Sequence, residues 1–319
     1  MKIFVTGGTG FIGRNLIPRL VQKRHKVTAV ARSAYGKSQL DLMGATPVDG
    51  NLASVSTFTS NFSKADAVIH LGAKTESWGL YNEFFEINVR ASEEITGAAS
   101  YHGVKKLIYL SCASVVCTGN PLFDVDEDYK PSGFPSDNYS KSKAIAEEKV
   151  RNASSRLNTV ILRPAFVWGK QVPFIERLRH HINRIGFPNI GKQGHQFSTC
   201  HVENIVEAII TALDQPDKSG TFYVTDGEPV AVKFFMPQLL LSHGLFAGRV
   251  NLPRSFALVL AGFFEIIWAI IPFKKTPPLT KNIVNILGSE ATFSDNKFRE
   301  VFSFKNRVQP EEELRSRRY

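Results

Sequence analysis

Tyr139 and Lys143 stand four residues apart in the stretch DNYSKSKAIAEEKV at 137–150. In a helix that spacing puts both side chains on one face. A phenol titrating at about 10 is a poor acid–base group at neutral pH, and a neighbouring ammonium stabilises the phenolate and lowers that value. The chemistry on offer is proton transfer at an oxygen, with the lysine also able to hold a hydroxyl. Lys141 points elsewhere, and Asp137 or Asn138 suits the helix N-cap.

A second cluster lies at 5–16, VTGGTGFIGRNL. Gly7, Gly10 and Gly13 recur every third residue, and Gly8, Gly10 and Gly13 complete a GxGxxG pattern. Between an apolar run and a helical one, glycines permit the tight turn, the approach of backbone to a pyrophosphate, and close helix–strand packing. The following strand ends AVARS, with Arg32 where an NAD-binding protein carries an acid about 20 residues beyond the glycines. The nearest acid after it is Asp41. A guanidinium there pairs with a 2′-phosphate, which favours NADP(H) over NAD(H).

The third cluster ends the run LIYLSCAS at 107–114. Strand alternation places Cys112 and Ser114 on one face and Ser111 on the other. A thiol is a weaker donor than a hydroxyl. No histidine in the motif would activate Cys112 as a nucleophile, and a small buried hydrophobe is the commonest role of a free cysteine. The adjacent His180 and His181 would point about 100° apart on a helix, and His195 and His201 belong to no carboxylate–histidine pattern, so no metal is expected.

The elements that position these clusters are legible as alternating periods. Strands are predicted at 2–6, 26–31, 66–71, 105–110 and 158–162, and helices at 11–23, 80–102 and 137–153. That alternation predicts an α/β fold, a Rossmann doubly wound parallel sheet covered by helices on both faces. Residues 166–319 hold most of the prolines and read as a smaller C-terminal substrate lobe, with a boundary near 165 that the chain can recross. The lobe contains an apolar stretch at 254–271. A spanning helix needs about 20 apolar residues, and Glu265 interrupts this one. A greasy lid or a peripheral membrane contact through 254–275, with Lys274 and Lys275 facing anionic headgroups, suits it better.

With 319 residues, 43% hydrophobic and 21% charged, the chain can bury a full core. Its three cysteines make no CxxC and no even set, and MKIFVTGG is too short an apolar start for a secretory signal. Both favour a cytoplasmic location. The net charge of +10 fits an anionic ligand or a membrane surface. No basic run with interleaved aromatics points to nucleic acid.

Together the glycine turn, YxxxK, HLGAK at 70–74, Asn88 in INVRAS and LRPAFVWG at 162–169 resemble the extended short-chain dehydrogenase/reductase superfamily. AKTESWGLYNEFFEINV, SCASVV, HVENIVEAI, DGEPV and PPLTKNIVNILGSEATFS resemble its 3β-hydroxysteroid dehydrogenase branch. That branch includes sterol-4-carboxylate 3-dehydrogenases and 2-alkyl-3-oxoalkanoate reductases. The resemblance implies Gly7, Gly10, Phe11, Ile12, Gly13, Arg32, Asn51, Leu52, Leu71, Ala73, Tyr139, Lys143, Pro164 and Phe166 around the cofactor. Asn51 stands where Asp is usual. It also implies a hydroxyl at the position of Cys112, for which Ser114 and Ser111 are the available substitutes, and a homodimer. The expected activity is hydride transfer between NAD(P)(H) and a secondary alcohol or ketone on a large hydrophobic substrate, a sterol or long-chain 3-oxo acid. Phe234, Phe235, Phe246, Phe256, Phe263, Phe264 and Trp268 give the lobe its aromatic character. The rival readings are a nucleotide-sugar epimerase or dehydratase and a non-catalytic NADP(H)-binding regulatory protein.

Overall fold

Aliphatic and β-branched runs build the centre of the protein. The computed structural model describes residues 1–76, 78–153, 157–176, 179, 187–191, 194–271 and 277–316. Its first strands are β1 (Lys2–Thr6), β2 (Lys26–Ala31), β3 (Thr46–Asp49), β4 (Ala67–His70) and β5 (Lys106–Leu110). They are followed by β6 (Leu122–Val125), β7 (Asn158–Pro164), β8 (Phe166–Trp168), β9 (Phe187–Ile190) and β10 (Gln196–Phe197). The last five are β11 (Thr199–His201), β12 (Gly220–Val224), β13 (Val230–Ala231), β14 (Ala247–Leu252) and β15 (Ala291–Phe293).

Seven strands form one parallel sheet in the order β12-β7-β5-β4-β1-β2-β3. The central strands β1, β4, β5 and β7 are buried almost throughout, as expected where helices cover both faces of a parallel sheet. The order reverses between β1 and β4, and ligands of such sheets bind at the carboxyl ends of the strands at that switch point. The strands expected at 2–6, 26–31, 66–71, 105–110 and 158–162 are all here. The two edge strands were not expected. β3 reads TPVD, is only half-buried, and lacks an apolar run. β12 comes from the second half and pairs with β7 from Gly220↔Val160 to Val224↔Pro164, so the chain crosses position 165 and then returns to the sheet.

The helices are α1 (Phe11–Gln22), α2 (Ala34–Leu42), α3 (Tyr81–Phe84), α4 (Ala91–Tyr101) and α5 (Asn138–Ala153). The single helix expected over 80–102 is interrupted, because Phe85–Arg90 between α3 and α4 is π-helical. Such a bulge rotates the side chains it carries, and here it sends Asn88 inward, where it is fully buried.

The lobe has a core of its own, including Trp168, Phe197, Phe235, Leu239, Ala257 and Ile283. A four-stranded sheet β13-β10-β15-β6 supports it. The apolar stretch at 254–271 forms a helix, Arg254–Ile270. Among the described residues no helix is long and apolar enough to cross a membrane. This one packs through Ala257 and Ala261 while Phe256, Val259, Phe263, Ile266 and Ile270 face outward. It packs on the helix Lys281–Leu287, and its Glu265 turns inward to accept from the Lys281 backbone at 2.8 Å. The expectation of a lid over the substrate is therefore corrected: none of these residues borders the cleft. Lys274 and Lys275, and the His180–His181 pair, lie outside the described residues.

Candidate active site

The turn after β1 is set by backbone sterics. Gly7 has φ +72°, and a Cβ on it would lie 2.6 Å from the Gly72 backbone nitrogen. A Cβ on Gly13 would meet the Gly7 carbonyl oxygen and stand 2.6 Å from Gly8 Cα. Gly10 caps α1 without a side chain, and the first turn holds no acid. That helix end therefore presents uncapped N–H groups beside a side-chain-free loop, a donor set that fits a pyrophosphate. Arg32 is exposed at the end of β2 and makes no ion pair among the described residues. Asp49, which pairs with Ala31 across the β2–β3 ladder, is bound to Lys37 at 3.1 Å.

One cleft of about 940 Å³ runs along the carboxyl ends of the strands. Gly7, Gly10, Phe11, Ile12 and Gly13 border it from the first turn, Arg32, Asn51 and Leu52 from the ends of β2 and β3, and Leu71 and Ala73 from the loop after β4. Pro164 and Phe166 follow from β7 and β8, and Cys112, Ser114 and Tyr139 complete the floor. Lys143 is the only residue of the expected set set back from the cleft wall, buried behind it.

Asp137 caps α5, accepting from the Ser140 backbone at 2.8 Å. The helix then carries Tyr139 toward the floor and Lys143 into the protein. Tyr139 stands close to Cys112, whose sulfur is 3.2 Å from Ser114 Oγ. Ser140 donates to the same Ser114 oxygen at 2.8 Å. Ser111 faces the other way and donates to Glu147 at 2.7 Å. Glu147 is in turn gripped by Arg163 at 3.1 and 2.6 Å. Cys112 and Ser114 thus share the side of Tyr139, while Ser111 belongs to a buried ion-pair network.

Lys143 differs from the sequence expectation. Its ammonium donates to the Tyr109 hydroxyl and the Leu110 carbonyl, both at 2.7 Å, rather than standing over the Tyr139 phenol. Burial lowers the lysine to about 8. Burial and the Cys112 thiol hold the Tyr139 phenol well above its ordinary value, so the tyrosine is an acid with its proton in place.

Behind Lys143 runs a chain of hydrogen bonds. Tyr109 stands close to Ser92, and Ser92 donates its one proton to the Asn88 carbonyl at 2.6 Å. The His70 Nε2–H then donates to Ser92 at 2.9 Å, and the Thr6 hydroxyl donates to His70 Nδ1 at 2.6 Å. Thr6 itself accepts from the Gly72 N–H at 3.2 Å. These directions require a neutral His70, and burial lowers that imidazole to about 3. The Asn88 side chain bonds both backbone groups of Lys74, at 2.7 and 3.1 Å, and Ser142 at 2.8 Å, which ties the loop after β4 to α5. The roles of Thr6, Ser92 and Tyr109 were not anticipated. Their partners are distant in sequence, and a lone Ser or Tyr in a strand or helix carries no signal.

The remaining candidates have structural work. His195 Nε2 meets the Leu287 carbonyl at 2.5 Å, and His201 caps the helix Val202–Leu213 by accepting from Glu203 N. Beyond Arg32, the charged side chains among the described lining residues are Lys74, Glu76, Glu83, Glu86 and Asp137.

A family model described as the 3-beta hydroxysteroid dehydrogenase/isomerase family matches residues 4–254. The chain belongs to that family. It is an NAD(P)-dependent enzyme of the short-chain dehydrogenase/reductase fold. A 4-hydroxy-2-methyl-3-oxo-4-farnesyl-3,4-dihydroquinoline-1-oxide ketoreductase from Stigmatella aurantiaca is 32% identical to it, over 97% of this chain and 93% of the relative. A 2-alkyl-3-oxoalkanoate reductase from Stenotrophomonas maltophilia is 31% identical over 99% and 98%. A decarboxylating sterol-4-alpha-carboxylate 3-dehydrogenase from Dictyostelium discoideum is 29% identical over 96% and 97%. Among solved structures, a UDP-glucuronic acid 4-epimerase from Bacillus cereus in complex with NAD superposes with a TM-score of 0.75 at 17% identity, covering 100% of this chain and 97% of the other. At that identity the likeness is one of fold. This chain places the Cys112 thiol near Tyr139 and the Ser114 hydroxyl 3.2 Å from that sulfur.

Proposed function

We propose that this protein interconverts a ketone and a secondary alcohol on a large hydrophobic substrate, with NADP(H) preferred over NAD(H). The observation that carries the reading is the floor of the cleft. A protonated Tyr139 lines the same cleft as the glycine turn and the apolar side chains Phe166, Phe174, Phe197 and Phe293. The nicotinamide cofactor, when bound, supplies or accepts the hydride. Tyr139 gives its proton to the carbonyl oxygen in reduction and takes it back in oxidation. Cys112 and Ser114 orient that oxygen, and Ser114 is the hydroxyl donor that substitutes at this position. Lys143 holds a ribose hydroxyl with the N–H left over from Tyr109 and Leu110, and its positive charge lowers the energy of the phenolate. Arg32 pairs with the 2′-phosphate.

The nucleotide-sugar reading is disfavoured, because a sugar diphosphate needs cations where the described lining offers four carboxyl groups and Lys74. NADPH and NADH oxidation with long-chain 3-oxo compounds, ketosteroids and nucleotide sugars tests the proposal. Turnover of the hydrophobic ketones, faster with NADPH, is expected; turnover of nucleotide sugars alone would overturn it.

A further inference from the structure

We propose that Asp137 selects substrates whose group next to the ketone is uncharged, favouring a hydrogen-bond donor there and rejecting a carboxylate. The inference rests on the ketone-reducing assignment and narrows its substrate class.

Asp137 sits two residues before Tyr139, and one of its carboxyl oxygens accepts from the Ser140 N–H that opens α5. The residue is half-buried and borders the cleft, as does Asn282. Tyr139, Cys112 and Cys117 border the same cleft as Asp137, on the patch of floor where the reacting oxygen must rest. A substituent on the carbon beside the ketone is two bonds from the reacting centre, so it cannot avoid this neighbourhood.

Apart from Arg32, the charged side chains of the described lining are net negative. Lys74 is matched by Glu83 at 3.1 Å and Glu76 at 3.6 Å, and Glu86 and Asp137 add two further carboxyl groups. In a partly desolvated cleft, like charges at close range repel strongly. A substrate N–H or O–H, by contrast, finds vacant lone pairs on the Asp137 carboxyl, since a carboxylate has about four acceptor sites. A 3-oxo acid therefore enters poorly as its anion, whereas an amide, hydroxyl or neutral ring nitrogen group of the same shape enters well.

The test is a binding titration of the full-length, NADPH-loaded protein with 3-oxodecanoate and with 3-oxodecanamide, two ligands of nearly the same shape. The amide is expected to bind at least about tenfold more tightly, a difference of about 1.4 kcal/mol. Asp137→Asn and Asp137→Ser both keep an N-capping side chain and should bring the two ligands to within about threefold, mainly by strengthening the acid. Asn282→Asp, a second variant that leaves the α5 cap intact, should widen the gap. Equal or tighter binding of the acid to the wild-type protein overturns the inference. So does a gap that survives both Asp137 substitutions or narrows in Asn282→Asp. NADPH oxidation measured on the same two ligands is a separate readout. A normal binding gap with no turnover of any ketone fails the oxidoreductase reading alone, whereas turnover without the gap fails this inference alone.

Discussion

The cofactor end and the substrate end of the cleft are made of different material. The cofactor end is backbone: a left-handed Gly7, a Gly13 with no room for a Cβ, and a helix whose first turn has no side-chain cap. The substrate end is side chains drawn from α5, β8, β10, β15 and the helix Lys281–Leu287, with Asp137 as its charged landmark. The lesson is that recognition by backbone forces a short contiguous motif, because only consecutive residues can make one turn. Recognition by side chains can be assembled from anywhere the fold brings together. The two ends also differ in charge, with Arg32 at one and Asp137 at the other.

Several substitutions would break or sharpen that contrast. The largest effect is expected from Gly13→Val. Its side chain would collide with Gly7 and Gly8 backbone, and overpacking of this kind costs about 1–3 kcal/mol of stability and here also opens the cradle. NADPH binding should vanish in a fluorescence titration. Phe174→Leu, its counterpart at the other end, should raise the KM for the ketone and leave NADPH affinity untouched. If the lobe variant damages cofactor binding equally, the division into two ends fails.

Next comes Arg32→Asp. A charge-assisted hydrogen bond contributes about 1.5–3 kcal/mol, so the ratio of kcat/KM for NADPH over NADH should fall roughly 10- to 100-fold. An unchanged ratio would remove Arg32 from the 2′-phosphate.

His70 gives a pH signature. Its folded value is lowered to about 3 from 6.5, so as pH falls below 6.5 the unfolded chain binds a proton that the folded protein refuses. Stability from this group is present above pH 6.5 and is lost progressively as pH drops toward 3, on the order of 2 kcal/mol by pH 5. Urea titrations at pH 7.5 and 5 should show the loss, and His70→Gln should be weaker at pH 7.5 yet less sensitive to acid. Parallel curves for the two proteins would contradict the neutral assignment.

The smallest effect is expected from Tyr109→Phe. Removing one acceptor from the buried Lys143 ammonium lowers that group further below about 8, so the fall in turnover at high pH should begin at lower pH. The decrease in kcat at pH 7.5 should be roughly tenfold or less. An alkaline limb unmoved from the wild-type position would disconnect Tyr109 from the role proposed for Lys143.

These contrasts also explain what the sequence could reveal. β1, β2, β4, β5 and β7 are apolar runs whose burial on both faces leaves a local signature, and the glycine turn and Tyr139–Lys143 spacing are local as well. β3 and β12 are edge strands whose partners, not their composition, make them strands. The chain Lys143–Tyr109–Ser92–His70–Thr6 joins residues up to 64 positions apart at a single bond, and no window of sequence contains it. The direction of the apolar helix Arg254–Ile270 was also hidden. Its periodicity shows an apolar stripe but cannot say whether the stripe faces the cleft or the outside, and the aromatics that residues beyond 165 bring to the cleft are Phe166, Phe174, Phe197 and Phe293. Asp137 was legible as a helix cap, but its sharing of one cleft with Asn282 of the lobe is a product of the fold.

The central claim, that Tyr139 sits where a ketone carbon accepts hydride, is tested most directly by product labelling. NADPH deuterated at the transferable position is incubated with a long-chain 3-oxo amide and with a ketosteroid, in the wild-type protein and in Tyr139→Phe. The expected product is a secondary alcohol carrying deuterium on the carbinol carbon, formed about 10²–10⁴-fold more slowly by the variant. Labelled alcohol produced equally fast by Tyr139→Phe, or no labelled alcohol from the wild-type protein while it binds both cofactor and ketone, would contradict it.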